Sequence, residues 1–213
     1  MIKAAIYGKT DTPNARDLVR LLLIHPDIQF IGFASEDHAG RPLWEDVFDV
    51  FGSCDIRYSR TLDYSKLDVL FCLDADDVPA EALSKLETDP EFRLIVFPPK
   101  PGEGSAVDSL DNFVYGVPEL NRKAMVRGAR AVRLACAPAI AALDATFPFA
   151  RVLMMPGDTE SLEITVDGPE FDPERSAREV SACLQAVQTS FRRRVERSLH
   201  AFRRCRLRSD GAL

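Results

Sequence analysis

The chain has 213 residues, a formal net charge of −6, and 46% hydrophobic against 28% charged residues, a balance that excludes a disordered chain and fits a soluble globular one. No apolar run approaches the roughly 20 residues that a membrane-spanning helix needs. Charge is unevenly placed: residues 191–213 carry eight Arg against Glu196 and Asp210, a net of +6, which leaves −12 on residues 1–190.

Ile2–Tyr7 is a short apolar run ending at Gly8, and the polar turn KTDTPN follows it. Ala15–His25 (ARDLVRLLLIH) has a continuous apolar helical face that Pro26 stops, and Ile28–Ala34 (IQFIGFA) reads as a second buried strand. Strand, glycine turn, helix and strand make a βαβ unit with parallel strands. Asp68–Leu73, Arg93–Phe97 and Ala131–Ala135 repeat the strand pattern, with a helix over Val78–Leu86. The expected fold is α/β, a doubly wound parallel, Rossmann-like sheet over residues 1–147.

Such sheets bind dinucleotides at the first turn, where glycines let the backbone approach a pyrophosphate at a helix N-terminus. Here Gly8, Lys9 and Thr10 are the candidate cofactor contacts, with Ser35 and Glu36 after the second strand. Pro13 removes a donor and Asp11 adds a negative charge, so an ordinary βα turn without a ligand stands beside the cofactor reading. If a cofactor binds, Glu36 suits the ribose hydroxyls of NAD better than the 2′-phosphate of NADP; otherwise it is a solvated loop acid. Asp74, Asp76 and Asp77 close the strand at Leu73; a metal site is conceivable, but helix caps before Pro79 are favoured for Asp76 and Asp77.

Val114–Leu143 reads as a turn-rich loop, a short helix, a buried strand and a helix opening near Cys136 and Pro138. A cysteine between strand end and helix start sits where orphan N–H groups stabilise a thiolate, so Cys136 is the candidate nucleophile. The other cysteines (Cys54, Cys72, Cys183, Cys205) form no CxxC pair, and the three histidines are dispersed. A disulfide framework and a metal site are therefore not expected, and with no secretory leader a reducing, cytoplasmic setting is.

Beyond residue 147, Arg151–Met155 and Ser161–Val166 read as a short β-hairpin, and a long amphipathic helix is expected from about Glu174 to Leu207. Its stripe is Val180, Leu184, Val187, Phe191, Val195, Leu199 and Phe202, with His200 one position off it. Residues 148–213 form a reduced second region on this reading. The acidic body opposes polyanion binding, so the basic helix suits a protein partner or a sister copy rather than nucleic acid.

Several stretches carry a family resemblance. Val114–Ala129, VYGVPELNRKAMVRGA, resembles the VYGLPELNR segment of N-acetyl-γ-glutamyl-phosphate reductase, in the semialdehyde dehydrogenase superfamily. Leu18–Ser35 is similar to that family's first helix and second strand, Ala39–Phe48 (AGRPLWEDVF) to its AGKPL-type loop, and Lys66–Leu73 to its fourth-strand region. The resemblance implies an NADP-binding domain and a cysteine that attacks an acyl phosphate or, in reverse, an aldehyde, with hydride transfer to or from nicotinamide. It also implies that Tyr115, Gly116, Glu119 and Asn121 belong to a substrate-side loop.

The departures are as informative. The family's NPGCY-like motif reads RLACAP here, and Cys136 takes the cysteine's place only with a one-residue deletion; without it Ala137 does. The GxTGxxG-like turn has become Gly8–Asn14 with one extra residue, and the LPHG-like stretch has become Leu73-Asp74-Ala75-Asp76. The family's large second domain, with its histidine base and substrate arginines, corresponds to only 66 residues here. His200, among arginines, reads as a surface histidine and not as that base. The expectation is a divergent, non-catalytic relative acting as an interaction or regulatory module. The alternatives are a sensor with a weakened nucleotide pocket, or an active NAD(P)-dependent acyl-phosphate or semialdehyde oxidoreductase of amino-acid biosynthesis using Cys136.

Overall fold

The computed structural model describes residues 1–10, 13–52, 54–74, 77–98, 113–153, 163–165, 179–180 and 206–208. The chain divides into two compact units. The first comprises Met1–Pro99, Gly104–Phe113 and Arg130–Arg133; the second comprises Lys100–Glu103, Val114–Ala129 and Leu134–Leu213.

Strand β1 (Ile2–Tyr7) buries Ala4, Ala5 and Ile6 completely, as a strand covered on both faces must. Helix α1 (Pro13–Ile24) turns Ala15, Leu18, Val19 and Leu22 to the core at helical spacing. It opens at a proline, whose missing N–H costs nothing in a first turn. Strand β2 (Ile28–Ala34) runs parallel to β1, with a register shift between Ala4 and Ala5. Two 3-10 turns (Leu43–Glu45 and Phe48–Val50) then lead to the short β3 (Tyr58–Ser59), parallel to β2. Strand β4 (Val69–Cys72), helix α2 (Ala80–Thr88) and strand β5 (Arg93–Val96) continue the parallel pattern.

Strand β6 (Phe113–Gly116), helix α3 (Pro118–Arg127), strand β7 (Ala131–Leu134) and helix α4 (Ala137–Leu153) follow. The sheet order is β3-β2-β1-β4-β5-β7-β6, and β7 is parallel to β5. That is the doubly wound, Rossmann-like α/β fold, with its order reversing between β1 and β4. In the first unit one core cluster is built around Ile6, Val19, Phe33, Leu43 and Val47, and another around Leu70, Leu86, Phe92, Leu94 and Val96. The second unit has its own cluster of Val117, Ala135, Ala139, Ala142, Leu143 and Val180.

Four expectations need correction. Residues 114–116 are strand, not loop. Helix α2 begins at Ala80 with Pro79 as its cap residue and no side-chain cap, so Asp77 is not the cap; its N–H instead bonds the Asp74 carbonyl at 3.3 Å. Pro79 fixes its own φ near −60° and leads straight into the helix, which makes an aspartate cap two residues earlier unnecessary. Asp76 lies outside the described residues. Arg151–Leu153 form the last turn of α4 instead of a strand, because a short apolar run cannot by periodicity alone be told from buried helix.

The expected hairpin is likewise replaced. Strand β8 (Glu163–Thr165) pairs in parallel with β9 (Arg206–Arg208), so Arg206 and Leu207 are strand and not the end of a helix. Of the remaining predicted helix, Glu179 and Val180 are helical, and the rest, His200 included, lies outside the described residues.

Candidate active site

In an open α/β sheet, ligands sit beyond the carboxyl ends of the strands where the order reverses, here β1 and β4. Gly8 ends β1 with φ +134°, a conformation that side-chain-bearing residues rarely adopt. A Cβ placed there would stand 2.9 Å from the Leu73 Cβ, so glycine is also required by the close passage of the chain after β4. The Gly8 N–H donates to the Ala34 carbonyl at 3.0 Å, and the Ser35 N–H to the Ser59 carbonyl at 2.9 Å. Both donors are thus engaged in extending the strand ladder. Pro13, opening α1, supplies none.

Thr10 is turned inward, 2% exposed, and its hydroxyl shares a hydrogen bond with His38 Nδ1 at 3.1 Å. His38 lies 5.7 Å, ring to ring, from Tyr58. Burial first, then Asp46, raises the Tyr58 phenol well above its ordinary value. Lys9 and Glu36 are exposed, and Ser35 is buried.

The field at this sheet edge is negative. The Tyr7 phenol is pushed up by burial first, then by Asp77, Glu36, Cys72 and Glu81. At the end of β4 the Cys72 thiol donates to the Asp74 carbonyl at 3.1 Å. Burial, its largest influence, pushes it up to about 12, with the Asp77 and Asp74 carboxylates adding to the rise against the Asp74 hydrogen bond. Cys72 is therefore no nucleophile. A pyrophosphate is favoured by free N–H donors and a positive field; among the described residues of this turn Lys9 is exposed, with the Asp77, Glu36 and Glu81 carboxylates acting on the neighbouring Tyr7.

Cys136 belongs to the second unit. Its carbonyl accepts the Ile140 N–H at 3.0 Å, the first bond of α4, so Cys136 is the N-cap residue and is half-buried. Its own N–H donates to Glu179 Oε2 at 2.6 Å, and Glu179 is 1% exposed. A carboxylate thus holds the helix entrance in the way a capping-box glutamate would, but from 43 residues downstream. Tyr115 packs beside the same core cluster, and Gly116 ends β6. Glu119 and Asn121 lie in the first turns of α3, behind Pro118 at its opening.

Two residues at these sites were not foreseen. His38 is 28 residues from its partner Thr10 and carries no spacing signal. Glu179 lies one position before Val180 of the apolar stripe, where a charged side chain reads as solvent-facing; its burial depends on meeting the start of α4.

Two open grooves, of about 580 and 470 Å³, lie elsewhere, the first lined by Tyr64, Glu81, Lys85 and Asp89 and the second by Lys3, Gln29, Arg57 and Lys66. Neither is lined by Gly8, Thr10, Ser35 or Glu36. Among the described residues no group of three or more His, Cys, Asp or Glu could hold a metal ion, and no helix is long and apolar enough to cross a membrane.

Comparison with known proteins adds ancestry to this geometry. No protein-family model matches the chain. It is 29% identical over 166 residues to N-acetyl-gamma-glutamyl-phosphate reductase of Bacteroides thetaiotaomicron, covering 78% of this chain and 50% of the relative. It is 29% identical over 158 residues to a putative [LysW]-L-2-aminoadipate/[LysW]-L-glutamate phosphate reductase of Thermococcus kodakarensis, covering 70% and 47%. The chain thus spans about half the length of the curated relatives it matches. A crystal structure of aspartate semialdehyde dehydrogenase with NADP from Candida albicans superposes with a TM-score of 0.65 at 12% identity, over 98% of this chain and 66% of that one.

Proposed function

From a chain whose sequence relatives are the N-acetyl-γ-glutamyl-phosphate reductases, we propose a divergent, non-catalytic member that serves as an interaction or regulatory module. The observation that carries the reading is the β1–α1 turn. Its Gly8 N–H is spent on Ala34, its Thr10 hydroxyl faces inward to His38, and its surroundings are acidic. A reductase of this kind passes hydride to or from nicotinamide, so a turn that repels the pyrophosphate removes the reaction's second substrate. NADP, named with the Candida albicans dehydrogenase, would bind this chain weakly at most.

The partner we assign is a second copy of the chain or another protein, engaged through the C-terminal stretch from Leu184 to Phe202 with its arginine-rich flank. The net of +6 on residues 191–213 against −12 on residues 1–190 favours head-to-body contact between copies. Sedimentation equilibrium of the full chain at micromolar concentration tests this. A dimer or larger species that weakens with added salt is expected; a monomer at every concentration and salt would sink the self-association reading.

A second reading has one observation in its favour. Cys136 is half-buried at the N-cap of α4, a setting that favours a thiolate and so supports its use as the nucleophile of an active NAD(P)-dependent acyl-phosphate reductase. Against it stands the Glu179 carboxylate bonded to the Cys136 N–H.

A further inference from the structure

We infer that Glu179 is a built-in anion seated at the start of α4, filling the place where an anionic substrate group or a thiolate would be stabilised, so that the Cys136 thiol is held unreactive. The inference rests on the non-catalytic reading and supplies a local mechanism for it.

Three observations place the carboxylate there. Glu179 Oε2 accepts the Cys136 N–H at 2.6 Å, a charge-assisted bond at the short end of its range. Glu179 is 1% exposed, and a carboxylate so removed from water must find donors within the protein. Val180, the next residue, packs in the cluster with Ala135, Ala139, Ala142 and Leu143, which fixes the backbone of Glu179 against the first turns of α4. Glu179 is thus held by its neighbour's apolar contacts and is not a side chain swinging over the surface.

The chemical consequence follows from the seat. Helix α4 has 17 residues, and its N-terminal end carries the positive pole of the helix dipole and the unpaired N–H groups that lower the energy of a nearby anion. An internal carboxylate bonded to the cap residue's own N–H uses that stabilisation. It also puts a negative charge within a few ångströms of the sulfur of the same residue. Ionising the thiol would then set a second anion beside the first, which Coulomb repulsion opposes. Attack on an acyl phosphate would add a third, on the incoming phosphate.

Thiol alkylation reads this directly, because iodoacetamide reacts with the thiolate: a sulfur–carbon bond forms, iodide leaves, and the thiol proton goes to solvent. The full-length chain is treated at pH 8 and the Cys136 and Cys72 peptides are followed in time by mass spectrometry. Glu179→Gln keeps an acceptor oxygen for the Cys136 N–H and removes the charge; Cys136 should then react on the order of tenfold faster. Buried Cys72 should remain unmodified over the same period. Glu179→Asp, shorter but charged, should stay close to the parent rate.

Equal Cys136 rates in the parent and Glu179→Gln would overturn the inference. So would an Asp variant as fast as the Gln variant, since packing and not charge would then be at work. If Glu179→Gln loosens the fold and Cys72 begins to react, the ratio of the two rates decides. A ratio that rises supports the built-in anion, and a common rise contradicts it. None of these outcomes depends on turnover, so a failure here leaves the non-catalytic reading to be judged by its own assay.

Discussion

Gly8 is held in place by two independent demands, a φ of +134° and the Leu73 Cβ that would stand 2.9 Å from its own. Gly8→Ala should therefore destabilise the chain by about 2 kcal/mol or more, combining backbone strain with a backbone-to-core clash. Urea denaturation checks this, and an unchanged midpoint would show that the turn relaxes freely. The same residue explains why sequence reasoning stopped where it did. That one glycine of the phosphate-binding fingerprint remains is plain from the chain. That its N–H is bonded to Ala34, and that Thr10 faces His38, depends on contacts 26 and 28 residues apart that no local spacing encodes.

Elements were more legible than side chains. Strand β1, helix α1 and strand β2 follow from apolar runs and from Pro26, which stops the helix, and their parallel order follows from the βαβ pattern. The start of α4 at Cys136 was legible for the same reason: a buried strand must end before a proline-bearing helix opening. Its far end was not, since RVLMM suits a strand or a buried helix turn equally well until its neighbours are known. The parallel pairing of β8 with β9 joins segments about 40 residues apart, beyond any hairpin rule.

At the end of β4, the Cys72 thiol stands at about 12 against an ordinary 9.0. The unfolded chain therefore loses this proton first, and between about pH 9 and pH 12 it binds fewer protons than the folded chain, so stability falls as pH rises. Cys72→Ala should show a flatter decline across that window in urea melts. Tyr58, also raised, titrates in both proteins and cancels in the difference, whereas Tyr7 and Tyr64, which Cys72 helps to raise, add to the flattening. An identical slope in the two would mean that Cys72 is not buried as described.

For the molecule as a whole, the proposed reading is that ancestry and present chemistry part company. The sheet order is that of a doubly wound α/β fold, and the sequence relatives are N-acetyl-γ-glutamyl-phosphate reductases. Two features of the described residues support the proposed non-catalytic reading: the Gly8 N–H engaged by Ala34 in an acidic setting, and the Glu179 carboxylate on the Cys136 N–H. On the proposed non-catalytic reading no measurable turnover is expected, because loss of nucleophile or cofactor costs more than the about 10²–10⁴-fold of a lost general base.

The measurement that tests this most directly is NADPH oxidation by the full-length chain with N-acetyl-γ-glutamyl phosphate, run beside Cys136→Ser. The account predicts no rate above the uncatalysed background in either protein. A steady turnover in the parent that Cys136→Ser abolishes would contradict it.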